Sequence, residues 1–351
     1  MAAGAELVLP LKFQLVVNGR VGRSCCRDDL SLFDHLAGLA ADVMVAIPPV
    51  LVFVGGLHRS GTSLVQRCLA SHPDVTAFSG TGVPEDEGQH LQSVFLPDYR
   101  FGGAGRFAFE PRARLTEHSA LASAESRARL VTEWAPYWRG NAAVGVEKSP
   151  PNLIRARFLQ ALFPDAVFVM VLRHPIAVAG ATRKGRRRLL NYETLVHHWV
   201  AAHTILAADA PLIRNLHVVR YEHLVADQNA ALAPVFAAAG LTPMTVDTPP
   251  RADVNEHYFA QWRRPDPLRG RDRSRTITRW EVAVNRHGYS LIDLPRCADT
   301  DLLPATTSTT PITHAPTDPP RAPAVYALTS KTLQLVKTGR RPVSRALQKD
   351  A

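Results

Sequence analysis

Four short runs, apolar almost throughout, constrain this chain more than anything else in it. They lie at 50–54 (VLVFV), 142–146 (AAVGV), 166–172 (AVFVMVL) and 216–220 (LHVVR). A strand that is apolar on both sides of its pleat has to be covered on both faces, as strands of parallel sheets are. Helical patterns over about 61–71, 117–138, 152–162 and 192–208 lie between the runs, and such alternation marks βαβ units. The expected fold class is therefore α/β with a central parallel sheet. Each run is followed at once by polar sequence: GGLHRSGTS, EKSPPN, RHP and YEH. Ligands of open parallel sheets bind outside the carboxyl ends of the strands, so the four endings point to one shared site.

The first ending has the outline of a phosphate-binding loop. Gly55, Gly56 and Gly61 let backbone approach an anion closely and take dihedrals other residues avoid. Ser60, Gly61, Thr62 and Ser63 then open a helix, whose first amides have no partners inside the helix and attract negative charge. A nucleoside triphosphatase carries lysine after the second glycine; that slot holds Thr62, and the cation, Arg59, comes before the glycine. The other strands end in Glu147-Lys148, Arg173-His174 and Tyr221-Glu222, and none supplies an obvious magnesium-binding aspartate. ATP is therefore a poor fit to an otherwise intact loop.

Arg-Ser-Gly-Thr in such a loop, with the following helix running to His72-Pro73, resembles the 5′-phosphosulfate loop of sulfotransferases that use 3′-phosphoadenosine-5′-phosphosulfate (PAPS). The bacterial and tyrosylprotein-type branch is the most similar. The resemblance covers about residues 48–290 and implies a three-layer sandwich around a parallel sheet, the P-loop NTPase-like sulfotransferase fold. It implies that Arg59, Ser60, Gly61, Thr62 and Ser63 hold the 5′-phosphosulfate and that Arg173, after a core strand, holds the 3′-phosphate. The family's serine eight residues beyond that arginine is Ala181 here, which leaves Thr182 or Arg183 to supply the donor, or a weakened 3′-phosphate site. A bidentate arginine carries most of the geometric specificity for phosphate, so the expectation is that the site survives. Tyr221 matches the tyrosine of the adenine site, with His223 in place of the usual acid.

Sulfuryl transfer, like phosphoryl transfer, relies on positioning and charge stabilisation. Arg59 is expected to meet charge on the transferring group, with Lys148 as the second cation and Ser149 assisting. In the tyrosylprotein branch the base is a glutamate shortly after the His-Pro helix. In VPEDEGQH that role falls to Glu87, with Glu85 second and His90 third; the plain alternative is that these acids cap a helix. His197, His198 and His203 lie on a helical pattern without metal-ligand spacing, so no metal is expected.

The net charge of +10 is concentrated in two runs. TRKGRRR (182–188) has five basic residues and no acid, and RRPDPLRGRDRSRTITR (263–279) has seven arginines against Asp266 and Asp272. They read as a solvated basic face or as walls of a site for an anionic donor. Nucleic-acid binding is disfavoured because aromatic residues are sparse there and no recognised motif accompanies them. Four cysteines without framework spacing suggest a reduced, cytoplasmic protein, and the run at 36–56 is broken by Asp42 and Pro48-Pro49, so no transmembrane helix is expected. High Ala, Arg and Pro usage suggests bacterial coding. The expected organisation is an extension over 1–47, with a strand at FQLVVNG and a helix at SLFDHLAGLAADVM, a sulfotransferase domain over 48–297, and a Thr/Pro-rich disordered tail over 298–351. The expected function is sulfuryl transfer from PAPS to a hydroxyl or amine on a small molecule, glycan or lipid, the acceptor pocket drawing on about Leu91–Pro136. The alternatives are a kinase-like P-loop protein and a degenerate, non-catalytic family member.

Overall fold

In the computed structural model the first apolar run forms β1 (Val50–Gly56) at the centre of a five-stranded sheet. Residues 47–184, 190–248, 254–265 and 267–303 are described, the last segment with backbone only at 267–269, together with the backbone of 16–17 and 20–21. The remaining strands are β2 (Val75–Ala77), β3 (Val144–Lys148), β4 (Val167–Leu172) and β5 (Leu216–Arg220). Their order is β2-β3-β1-β4-β5 and every pairing is parallel. β1 aligns Phe53 with Glu147 of β3 and with Phe168 of β4, so Lys148 ends its strand beside Val54.

The period of two along β1 divides the core. Val50, Val52 and Val54 pack with Val144, Val146, Val167, Val169 and Val171 against Leu64, Val65, Cys68 and Leu69 of α1 (Thr62–Ala70). The same face is covered by α6 (Tyr221–Ala226) and α7 (Gln228–Ala238). Leu51 and Phe53 turn the other way, where Phe53 lies 5.7 Å from the Phe168 ring and 6.1 Å from Trp134. That face is covered by α2 (Ala124–Trp134), α3 (Ala156–Leu162), α4 (Pro175–Thr182), α5 (Tyr192–Asp209) and α8 (Val254–Arg263). The architecture is the expected three-layer α/β sandwich. A last helix, α9 (Pro267–Asn285), follows; the packed chain then continues past Cys297 to Leu303, which is fully buried.

Two elements differ from expectation. β2 is a three-residue edge strand whose Val-Thr-Ala sequence is too short to show a pattern. The helix expected over 117–138 is confined to 124–134, capped by Ser123, whose side chain accepts from the Ser126 amide. Residues 84–113 are instead a series of single 3-10 turns.

The chain divides into two units, Val45–Ala322 and Met1–Met44 with Pro323–Ala351. Of the second unit, an antiparallel ribbon pairing Val16-Val17 with Arg20-Val21 is described. The helix expected over 31–44, the tail beyond 303 and positions 185–188 of the first basic run lie outside the described residues.

Gly55 lies where the turn after β3 crosses β1: a Cβ there would meet the Leu153 backbone N and the Met170 Sδ at 2.6 Å each. Overpacking of this kind costs about 1–3 kcal/mol. Gly270 in α9 has nothing within 4 Å of such a Cβ, and alanine in a helix interior gains roughly 0.5–1 kcal/mol over glycine. Urea unfolding should therefore show Gly55→Ala destabilised and Gly270→Ala stabilised by about these amounts; equal midpoints for the two would refute the packing described.

Candidate functional site

The loop leaves β1 through Gly56 and enters α1 at Thr62, with Gly61 as N-cap at φ 111° and no side chain capping the helix. Gly61 is required there twice over. Its φ is left-handed, and a Cβ would meet Tyr221 Cδ2 at 2.6 Å. Arg59 is also left-handed, at φ 70°, a conformation costly for a residue with a side chain and concentrated at functional sites; its side chain is exposed. Ser60 is buried, and its Oγ has no hydrogen-bond partner among the described residues. Thr62 is buried and Ser63 half-buried in the first turn of α1.

Arg173, directly after β4, comes up against this loop. Its Nη1 donates to the Arg59 carbonyl at 2.9 Å, and its Cζ lies 4.1 Å from the centre of the Tyr221 ring. It is 5% exposed, with Nη2 unpartnered among the described residues. Burial pulls its basicity below the usual arginine value, against the opposing charges of Tyr221 and Glu222. Tyr221 opens α6 at the end of β5, so one ring underlies both Arg173 and Gly61. Thr182 ends α4 and is buried, but no hydrogen bond joins it to Arg173 among the described residues.

On the other side of β1 the carboxyl end of β3 carries three neighbours in sequence with different partners. Lys148, 1% exposed, donates from Nζ to Glu87 Oε1 at 3.1 Å and to the Glu85 carbonyl at 3.0 Å. Lys148 is thus a buried cation paired with Glu87 and not a surface partner of Glu147. Glu147 accepts from the Gly88 amide (2.9 Å), Ser149 Oγ (2.6 Å) and Asn152 Nδ2 (2.6 Å), while Ser149 Oγ accepts from the Gln89 amide at 3.0 Å. Trp134 Nε1 donates to the Gly88 carbonyl. These bonds hold the backbone on the C-terminal side of Glu87 from three directions.

Of the three acids and bases weighed from sequence, Glu87 is the buried one. It stands at the N-cap position of a single 3-10 turn, Gly88–His90, without a side-chain bond to that turn's amides, and Gln89 Nε2 donates to its Oε2 at 2.6 Å. Glu85 is exposed, at φ 54°. His90 lies 3.7 Å from Glu87 Oε2 and stacks on Tyr99. The region also contains a residue that sequence reasoning passed over. His58, inside the loop, approaches Asp98 Oδ2 at 3.3 Å. Burial holds its imidazole below the usual histidine value, although the nearby carboxylates of Asp98 and Glu87 oppose this. Its place inside the GGLHRSGTS loop was the one signal that could have found it.

Four arginines of the second basic run have partners among the described residues. Arg275 and Arg279 pair with Glu193 at the start of α5, Arg263 with Glu256, and Arg273 donates to the carbonyls of Trp262 and Arg263. Among the described residues no group of three or more His, Cys, Asp and Glu side chains could hold a metal ion, and no helix is long and apolar enough to cross a membrane.

Comparison with known proteins matches the sequence to a family. Residues 49–245, more than half of the 351, match the model of the sulfotransferase family. Nodulation protein NoeE of Sinorhizobium fredii (strain NBRC 101917 / NGR234) is 26% identical over 222 residues, covering 56% of this chain and 51% of that protein. The chain thus spans about half the length of the curated relative it matches. Among solved structures, a sulfotransferase from Alicyclobacillus acidocaldarius is similar over 69% of this chain and 97% of its own (18% identity, TM-score 0.37). A sulfotransferase domain from the curacin biosynthetic pathway is similar over 65% and 97% (16% identity, TM-score 0.38). The fold assignment rests on the sheet order and layers above rather than on these two likenesses. The matched segment runs from the strand before the anion loop through Lys148, Arg173 and Tyr221, and by that match the chain belongs to the sulfotransferase family.

Proposed function

We propose that the protein transfers a sulfuryl group from PAPS to a hydroxyl or amine acceptor. The observation that carries this reading is the buried Lys148–Glu87 pair at the carboxyl end of β3, one strand from the anion loop after β1. Two polar atoms at the loop suit an anionic nucleotide: among the described residues Ser60 Oγ and Arg173 Nη2 are buried without partners, and buried donors of this kind are costly unless a ligand satisfies them. On this reading Arg173 faces the 3′-phosphate and the loop faces the phosphosulfate.

In the reaction the acceptor oxygen forms a bond to sulfur while the bond from sulfur to the 5′-phosphate oxygen breaks, and that oxygen keeps the electron pair. Glu87 takes the acceptor proton. Lys148 and Arg59 offset the charge shifting toward the phosphate. The region following Glu87 is the acceptor side, where Tyr99 and Leu96 are 60% and 53% exposed, a surface suited to a sugar, lipid or phenol. Thr62 in place of a P-loop lysine argues against the kinase-like alternative. The cysteine pattern supports a cytoplasmic setting.

Calorimetric titration tests the donor assignment without an acceptor. Adenosine 3′,5′-bisphosphate should bind much more tightly than ATP with magnesium, and Arg173→Ala should abolish the preference; the reverse order would sink the reading. With an accepted substrate, Glu87→Gln should lower turnover by roughly 10²–10⁴, the usual contribution of a positioned base, and leave bisphosphate binding intact. Arg59→Ala should cost about 10²–10³ in turnover, as loss of a charge-stabilising donor does.

Glu147 adds a pH dependence. Burial raises its carboxyl from 4.5 to about 7, ahead of the opposing hydrogen bonds from Ser149 and Asn152. Between those values the folded protein keeps a proton that the unfolded chain has released, so stability falls as pH rises through the window. The span from 4.5 to about 7 is worth at most about 3–4 kcal/mol, at 1.36 kcal/mol per pKa unit. Thermal midpoints at pH 5 and pH 8 should therefore differ more for the natural protein than for Glu147→Gln; parallel pH profiles would show that burial does not penalise the ionised form.

A further inference from the structure

Arg173 is held by residues that no loop motif contains. Its Nε donates to Asn255 Oδ1 at 2.8 Å, and Asn255 Nδ2 donates in turn to Glu222 Oε1 at 2.7 Å. Glu222 is fixed by three further donors, the His174 amide on Oε1 (3.0 Å) and, on Oε2, the Tyr289 hydroxyl (2.9 Å) and the Cys297 thiol (3.9 Å). The Asn255 amide can satisfy both neighbours in one orientation only, oxygen toward the arginine and nitrogen toward the carboxylate. With Nε on Asn255, Nη1 on the Arg59 carbonyl and Tyr221 against the guanidinium, the plane of Arg173 is set and Nη2 is its one nitrogen without a partner among the described residues.

Asn255 reaches Arg173 because α8 lies tight on α4. Gly180, next to Ala181, has no Cβ where Tyr258 packs; one would meet Tyr258 Cδ1 at 2.6 Å. Tyr258 also flanks Arg173, its ring centre 5.8 Å from Cζ. α8 lies beyond residues 49–245, the part of the chain matched by the family model.

We propose that Asn255 and Glu222 are positioning residues for the nucleotide 3′-phosphate, aiming Arg173 Nη2 at it in a chain that has Ala181 where the family pattern has serine. This rests on the PAPS-site reading. Neither residue touches the nucleotide; the Glu222–Asn255 relay restricts the arginine to the orientation that a 3′-phosphate requires. The desolvation that lowers the basicity of Arg173 adds to the gain when an anion arrives.

The experiment compares two probes, adenosine 3′,5′-bisphosphate and adenosine 5′-monophosphate, by calorimetry on the full chain. The natural protein should prefer the bisphosphate. Asn255→Ala should reduce that preference by about tenfold or more, the size of one hydrogen bond to a charged group, with monophosphate affinity unchanged. Glu222→Gln, which keeps Asn255, should shift the ratio in the same direction and decides the matter if Asn255→Ala fails to fold. An unchanged ratio in both variants overturns the positioning role and leaves the donor site standing. Equal loss of both probes overturns it as well, because a purely structural defect would not single out the 3′-phosphate. A natural protein that does not distinguish the probes overturns the donor reading, and this inference with it.

Discussion

Burial of both faces of the sheet governs the rest of the molecule. Val50, Val52 and Val54 face one helical layer and Leu51 and Phe53 the other, so β1 has no side on which a polar group can meet water. Polar chemistry is confined to strand ends, where backbone groups leave the ladder and side chains can reach solvent or a ligand. The order β2-β3-β1-β4-β5 then sets what gathers there. The anion loop leaves the central strand, with the Lys148 end of β3 on one side and the Arg173 end of β4 on the other.

The same confinement explains why so many charges near the loop are buried and why each is part of a network. Removing one partner of a buried ion pair leaves an uncompensated charge and costs more than the pair itself contributes. Lys148 therefore has both the Glu87 carboxylate and the Glu85 carbonyl, and Glu147 has three donors. Arg114, Arg155 and Arg220 also have a buried nitrogen without a partner among the described residues; Arg173 differs from them in being bonded to the anion loop itself, through the Arg59 carbonyl. Among the described residues, unpartnered buried donors at Arg173 and Ser60 come together at the anion loop, where an arriving anion would satisfy both.

Much of this was legible before any coordinates. The four apolar runs became β1, β3, β4 and β5 within two residues at each end, because a strand covered on both faces cannot hide its apolar character. The edge strand β2 was not legible, since three residues carry no periodicity. The segment after the His-Pro helix, whose acids could equally have been helix caps, is a chain of short turns with Glu85 and Asp86 at positive φ. There hydrogen bonds to distant side chains, such as Gly88 to Glu147, outweigh local propensity. The basic run over 263–279 was read as a face or a site wall; four of its arginines meet acids or carbonyls, Glu193 among them from more than 80 residues away, partners that charge counting does not identify.

By itself the sequence determined the chemistry that one stretch of chain can hold: a strand, a glycine loop, a helix start, and cations at particular strand ends. Those are local properties, set by side-chain periodicity and by the backbone freedom of glycine. Only the tertiary structure decided which partners meet. Glu87 and Lys148 are 61 residues apart, and Asn255 and Arg173 are 82 apart. Their contacts follow from strand register and from the close approach of α8 to α4 at Gly180. Pairings of that range depend on how whole elements pack, which no local pattern encodes.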